Sequence, residues 1–448
     1  MTNKDLDNLK LARRADHQAR VCAEAFRQVA ESVFFAGRPA DRSLNYFFRN
    51  NRQIGSRDRR FITDTVFAAF RWWGACLGEL AARERELFDH RFAVCDSCLE
   101  GGGWPDFQAA VRCLHVAGEL DHLPDTPPRL ALRRLAETDP RPRETAAEPL
   151  FPIWMDDHLA ADVDRKTLAE WLQSRPPMWL RLQTDKIEET LAVLRAENLD
   201  PVPHARLKNA VSVGYPHVNL HQLASFRDGL YDVQDLASQA IGAVCDPTPG
   251  QRWWDACAGA GGKSLQLASA MRRKGTVVAS DVRPHALQDL TKRARRAGFL
   301  NIDCEDWDGK DGSVKQAAFD GVLVDAPCTC SGTWRRNPAA RWQLPEADIR
   351  KMADLQFEIA RRVFPALRPA GRLVFATCSM FKEENEDNVQ RILAALPVEL
   401  EPFPHPLTGV ETPGFLQIWP WEGDSDAMFV ARFRKTADAG SQAGSPET

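Results

Sequence analysis

The chain has 448 residues, 44% of them hydrophobic and 27% charged. This is the composition of an ordinary globular protein, long enough for two or three domains, and it excludes a disordered or fibrous chain. Eleven scattered cysteines, an odd number, argue against a disulfide framework and for a reducing compartment, so a cytoplasmic location is expected. The net charge of -4 excludes a whole-molecule field that would hold nucleic acid. Any such binding must come from a local basic face. The opening MTNKDLDNLKLARR lacks an apolar core and does not read as a signal peptide, and no apolar run reaches the length of about 18 residues that a membrane span needs.

Residues 16–135 read as helical, with apolar side chains recurring at three and four: Val21, Ala25, Val29 and Val33, then Phe61, Val66, Ala69 and Phe70. Arg57-Asp58-Arg59-Arg60 opens the second segment, as a solvated helix start or as part of a phosphate-facing patch. Cys95 and Cys98, with Cys113 and His115 downstream, have zinc-like spacing, but no second pair at a standard interval supports them, so no metal is expected. Residues 137–152 are rich in proline and charge and read as a linker. From 154 to 246 the pattern changes to a small α+β module. Helices are expected at 167–174 and 187–197 and strands at 179–182 and 210–213. From 251 onward strands and helices alternate. Strands are expected at 253–257, 276–280, 302–304, 321–324, 373–377 and 429–434, with helices at 263–273, 284–297, 348–366 and 386–395 between them. Repeated βα units predict a doubly wound parallel sheet. The polar residues 436–448 are expected to be a disordered tail.

Three stretches place chemistry on the carboxyl edge of that sheet, where open α/β folds bind ligands. The first is the turn Asp255-Ala-Cys257-Ala258-Gly259-Ala260-Gly261-Gly262-Lys263, between a strand and a helix. Its glycines allow close backbone approach and its helix start offers amide donors to a ligand. The spacing does not match a phosphate-binding P-loop. Asp281 ends the next strand, 20 residues after Gly261, where an acid suits ribose hydroxyls. Turn and acid together indicate a nucleoside cofactor without separating NAD from S-adenosylmethionine. The second stretch, FDGVLVDAPCTCSGTWRRNP, delivers Asp325, Cys328 and Cys330. The third, GRLVFATCS, delivers Cys378. A buried cysteine is commonly a packing residue, but two thiols beside an acid and a nucleoside turn favour nucleophilic chemistry. Carbon 5 of cytosine is a weak nucleophile until a thiolate adds at carbon 6, and a second group must then remove the carbon 5 proton. The spacing alone does not order the two thiols.

DACAGAGGK, VDAPC, WRRNP and ATCSMFKEENE resemble the RNA cytosine-5 methyltransferases that use S-adenosyl-L-methionine, and the layout resembles their bacterial small-subunit ribosomal RNA methyltransferase B (Sun/Fmu) type. The resemblance implies three parts and a tail. A helical NusB-like domain would occupy 1–140, a small α+β RNA-binding module 150–228, a Rossmann-like methyltransferase domain 229–435, and the disordered tail 436–448. It implies that Cys378 is the nucleophile, that Cys328 helps release the product, and that Asp325 binds the cytosine and faces the cofactor. It places the cofactor on Cys257, Ala258, Gly259, Ala260, Gly261, Gly262, Lys263, Asp281 and Asp308, with Asp306 as the alternative to Asp308. Arg335, Arg336 and Arg341 become candidates for RNA phosphate contacts. RNA, ribosomal rather than transfer RNA, is the expected partner, and the protein is expected to act as a monomer. A non-catalytic RNA-binding assembly factor of the same fold is the alternative. Two departures from the family pattern stand out: the usual DAPCSG reads Asp-Ala-Pro-Cys328-Thr329-Cys330, and the asparagine expected after the third residue of LRL is Gln183.

Overall fold

The structure, a computed structural model, describes residues 21–73, 150–152, 154–310 and 316–436. The cysteine and histidine at 95–115, most of the 137–152 linker and the tail beyond 436 lie outside the described residues. The chain divides into two compact units, one of residues 1–175 with 333–346, the other of 176–332 with 347–448.

In the first unit, α1 (21–36), α2 (Ala40–Asn50) and α3 (Ser56–Arg71) bury an aromatic core of Phe26, Phe70, Trp72 and Trp73. Apolar side chains at helical spacing make that core, and Phe26 lies 5.1 Å from Phe70, centroid to centroid. Helix α4 (Arg165–Leu172) starts at Asp164, whose carboxylate accepts the amides of Lys166 and Thr167, an N-cap. The segment 333–346 also belongs here, although it follows directly on the thiol-bearing loop.

This placement corrects the reading of two arginines. Arg335 and Arg341 are 1% and 0% exposed, so they do not face RNA phosphates. Arg335 donates to the Ser174 hydroxyl at 3.0 Å, and Arg341 to the Leu150 carbonyl at 2.8 Å. The Arg341 guanidinium lies over the rings of Phe151, Trp334 and Trp342. Each is an internal fastener that combines carbonyl capping with cation–π contact. Only Arg336 of the three is exposed.

The second unit opens with a four-stranded antiparallel sheet in the order β2-β3-β1-β4, built from β1 (Trp179–Leu182), β2 (Val202–Pro203), β3 (Ala210–Ser212) and β4 (Tyr231–Val233), with α5 (Ile187–Ala196) after β1. Strand β4 lies past residue 228, the end expected for the small module, and pairs with β1. Next come α6 (Leu236–Cys245), β5 (Arg252–Asp255), α7 (Gly262–Ala270), β6 (Thr276–Ala279), α8 (Pro284–Ala297), β7 (Ile302–Cys304), β8 (Phe319–Asp325), α9 (Ala347–Val363), β9 (Leu367–Thr377), α10 (Glu386–Ala395) and β10 (Val398–Leu400). A hairpin of β11 (Phe403–Pro404) and β12 (Glu411–Thr412) follows, then β13 (Phe415–Ile418) and β14 (Met428–Lys435).

The main sheet runs β10-β14-β9-β8-β5-β6-β7, with β13 paired to β14. The neighbours β9-β8-β5-β6-β7 are parallel, as the βα repeats require. The expectation of an all-parallel sheet fails at its far side, where β14 runs antiparallel to β9. Only a short 3-10 turn, Pro420–Glu422, separates β13 from β14, too short for a parallel crossover, so the chain reverses there and the two strands pair antiparallel. Side chains alternate between faces. Trp253, Val277, Leu323 and Val374 share one core with α6, α7 and α8, while Trp254, Val278, Val322, Val324 and Phe375 share the other with α9 and α10. Both faces are therefore buried. Among the described residues no helix is long and apolar enough to cross a membrane.

Candidate active site

Strand β5 ends at Asp255, and the loop to α7 reverses tightly at Gly261. Its φ is +85°, and a Cβ there would lie 2.4 Å from Leu290 Cγ, so only glycine fits without displacing α8. With Gly259 also at positive φ, the loop bends its backbone into a cradle at the start of α7, the geometry that suits an anionic or nucleoside ligand. Ala258 and Ala260 complete the loop; the Ala258 amide donates to Ser280 and the Ala260 carbonyl accepts from Arg293. Burial pushes the Cys257 thiol up, so within this loop it is a neutral packing group against the core.

Asp281, two residues past β6, is tied directly to this loop: its carboxylate accepts the Gly259 amide at 2.9 Å. The same carboxylate accepts Arg283 Nε at 2.8 Å and Nη2 at 2.9 Å. Burial alone would raise Asp281, but these donors outweigh it and hold the carboxylate below its ordinary value. Arg283 was not read from the sequence, although the Asp-x-Arg spacing at the end of β6 was the available signal.

In the first turn of α7, Lys263 is buried, and its ammonium donates to Asp325 Oδ2 at 2.7 Å, across from β5 to the end of β8. Burial would lower the lysine, yet Asp325 and Asp255 together hold it above its ordinary value. Burial raises Asp325 despite the lysine. Asp255 is 1% exposed and is pushed up to about 7 by burial, with the Ser264 hydroxyl donating to it at 2.6 Å. Its other oxygen has no hydrogen-bond partner among the described residues, which is consistent with a carboxyl that keeps its proton. Asp308 stands apart. It is exposed past β7, and its carboxylate accepts the amide and the ammonium of Lys310. Asp306 is exposed on the same stretch.

The two thiols meet. Cys328, after β8, and Cys378, after β9, lie 3.2 Å apart, sulfur to sulfur. Pro327 stops β8 and lets the loop leave the sheet. Hydrogen bonding to Cys330 and Cys378, with burial, raises the Cys328 thiol well above its ordinary value. Charge on Cys378 acts on both Lys263 and Asp325, so the thiol pair and the ion pair share one electrostatic site.

The residue that sets the thiol loops was missed in the sequence. Glu384 is 0% exposed. It accepts the Thr329 amide at 3.0 Å, the Thr329 hydroxyl at 2.5 Å, the Ser379 hydroxyl, and Gln356 Nε2 at 2.8 Å. Thr329 follows Cys328 and Ser379 follows Cys378, so one carboxylate fixes both loops. Burial raises Glu384 against these donors. Its only signal was the acidic run after ATCS. The Gly332 amide donates to the Cys378 carbonyl at 2.9 Å, a second stitch between the loops. Cys330 adopts φ +57°, a left-handed backbone that costs a non-glycine residue about 1–2 kcal/mol. It occupies the position that is glycine in the usual DAPCSG.

This edge therefore offers a backbone cradle with an acid for a nucleoside, a buried ion pair and two adjoining thiols. The donor set, a backbone cradle at the start of α7 with the Asp281 carboxylate beside it, fits S-adenosylmethionine. Comparison with known proteins agrees. Residues 243–434 match the family model 16S rRNA methyltransferase RsmB/F. The chain is 32% identical over 300 residues to "Ribosomal RNA small subunit methyltransferase B" of Vibrio vulnificus, covering 65% of this chain and 68% of that one. It is 31% identical over 294 residues to the protein of that name from Cronobacter sakazakii, covering 64% of this chain and 66% of that protein, just under two-thirds of its length. Among solved structures, PH0851 superposes with a TM-score of 0.71 at 23% identity, over 92% of this chain and 99% of that one, a likeness of fold. The glycine cradle, the acid after β6 and the paired thiols lie within or beside the matched segment, and the chain belongs to the RsmB/F family of 16S rRNA methyltransferases.

Proposed function

We propose that the protein methylates carbon 5 of a cytosine in small-subunit ribosomal RNA, through a covalent bond between Cys378 and the base. The observation that carries this reading is the 3.2 Å approach of Cys328 and Cys378 beside the Lys263–Asp325 pair. The cofactor is S-adenosyl-L-methionine, which when bound supplies an electrophilic methyl group. Gly259 to Lys263 and Asp281 would hold it, with Asp308 or Asp306 as the further candidate. The Cys378 thiolate adds to carbon 6 of the cytosine, which makes carbon 5 nucleophilic. Asp325, which Lys263 fixes in place, binds the ring at nitrogen 3. Cys328, once its own S–H proton has passed to solvent, takes the carbon 5 proton as a thiolate after methyl transfer. The carbon–sulfur bond then breaks, which restores the ring and frees Cys378. Because hydrogen bonding and burial raise Cys328, its thiolate is the stronger base for that proton.

The helices at the start of the first unit serve as the NusB-like domain, the small sheet with β4 as an RNA-binding module that runs past residue 228, and the rest of the second unit as the methyltransferase domain of a cytoplasmic monomer. Bisulfite sequencing of total RNA from cells with and without the gene tests the reading. A single small-subunit cytosine that loses protection is the expected result. A transfer RNA site instead would keep the chemistry and move the substrate. No change at any site would leave a non-catalytic RNA-binding factor.

A further inference from the structure

The sulfurs of Cys328, Cys330 and Cys378 all lie within 4.8 Å of one another. The separations are 3.2 Å for Cys328 to Cys378 and 4.0 Å for Cys328 to Cys330. A tetrahedral zinc ion with Zn–S bonds of about 2.3 Å needs sulfurs about 3.8 Å apart. The trio brackets that value, and the exposed Cys330 is the arm with room to adjust. The positions are preorganised: Thr329, between Cys328 and Cys330, and Ser379, after Cys378, both donate to the one buried Glu384 carboxylate. The left-handed backbone of Cys330 brings its sulfur to 3.4 Å from the Cys328 carbonyl, toward its neighbour. The catalytic reading uses two thiols and gives the third no task.

We propose that Cys328, Cys330 and Cys378 form a three-thiolate site for a thiophilic divalent cation, with Zn2+ as the probe, and that metal binding there switches the enzyme off. Three S–H protons pass to solvent and three S–Zn bonds form, with no change of oxidation state. The fourth position stays open to water through the exposed side. Switching off rests on the proposed roles of Cys328 and Cys378, whereas the metal site itself does not.

The test is residue-resolved alkylation of the full-length reduced protein, with and without one equivalent of Zn2+, read by mass spectrometry. The expected result is joint protection of Cys328, Cys330 and Cys378. Replacing one ligand should weaken zinc affinity at these thiols about tenfold or more in Cys330→Ser. Cys330→Gly, which suits the left-handed backbone, gives the same readout if the serine variant folds poorly. S-adenosylmethionine binding measured on the same samples reports an intact fold. Absence of protection, or protection that both variants retain in full, overturns the proposal. Alkylation needs neither RNA nor turnover, so a failed metal site and a failed catalytic reading are distinguishable.

Discussion

Along β5 and β6 the carboxyl edge of the main sheet is held by formal charge: Asp281 by Arg283, and Asp325, at the boundary, by Lys263. Along β8 and β9 it is held by neutral donors gathered on one buried acid, with two hydroxyls, a backbone amide and a carboxamide on Glu384. The first arrangement suits a polar ligand, because ionic partners can exchange for ligand groups at modest cost. The second suits two thiols whose spacing must not change during bond making, because neutral hydrogen bonds hold position without adding a cation that would ionise both sulfurs at once.

The largest expected effects separate the two thiols. Cys378→Ala should lose methyl transfer to below detection while it keeps S-adenosylmethionine binding, since none of the cofactor-holding groups is touched. Cys328→Ala should instead accumulate a protein–RNA adduct, seen as a shifted band that survives denaturation. Should the band arise with Cys378→Ala, the two roles are exchanged.

Glu384 tests the neutral half. Glu384→Ala strands four donors, and each buried donor left without an acceptor costs about 1–3 kcal/mol, so a large fall in melting temperature is expected. Glu384→Gln keeps one acceptor oxygen and the shape. It should fold, bind cofactor as before, and lose kcat by about tenfold or more as the thiol loops loosen. Unchanged kcat in a folded Glu384→Gln would show that the loops need no such clamp.

The same contrast explains what could be read in advance. The cradle, Lys263 and Asp281 fall within one βα unit and its successor, so contiguous residues carry the signal. The thiols were legible because each ends a strand, and parallel strands bring their ends to one edge. Glu384 acts through Thr329 and Gln356, 55 and 28 residues away, and no local pattern encodes that meeting. Arg335 and Arg341 failed for a related reason: a basic cluster in a loop looks solvated until the aromatic partners Phe151 and Trp171 arrive from about 160 to 190 residues upstream. The antiparallel β14 was hidden because a strand's direction depends on its connection, not on its composition.

Arg341→Ala sharpens that correction. Removing a guanidinium that fills space among three aromatic rings and caps two carbonyls should cost about 2–4 kcal/mol of stability, measured by denaturant titration. If Arg341 were a phosphate contact, its loss would instead reduce the salt slope of RNA binding by about one and leave stability alone.

The smallest effect is a pH dependence, and it arises where the charged half lacks a cation. Asp255 sits near 7 in the folded chain, against about 3.9 when unfolded. The folded state therefore holds the proton more tightly. Stability from this group is fully present below about pH 4, declines as pH rises, and is gone once pH passes the folded value near 7. Lys263 does not prevent this, because its ammonium is bonded to Asp325. Asp255→Asn stays neutral at every pH and can still accept the Ser264 hydroxyl. Between pH 5 and 7 its unfolding free energy should fall less steeply than the wild type's, by up to about 1.4 kcal/mol per pH unit. Equal slopes in the two proteins would mean that Asp255 is ionised throughout that range and that the strand end tolerates a bare buried charge.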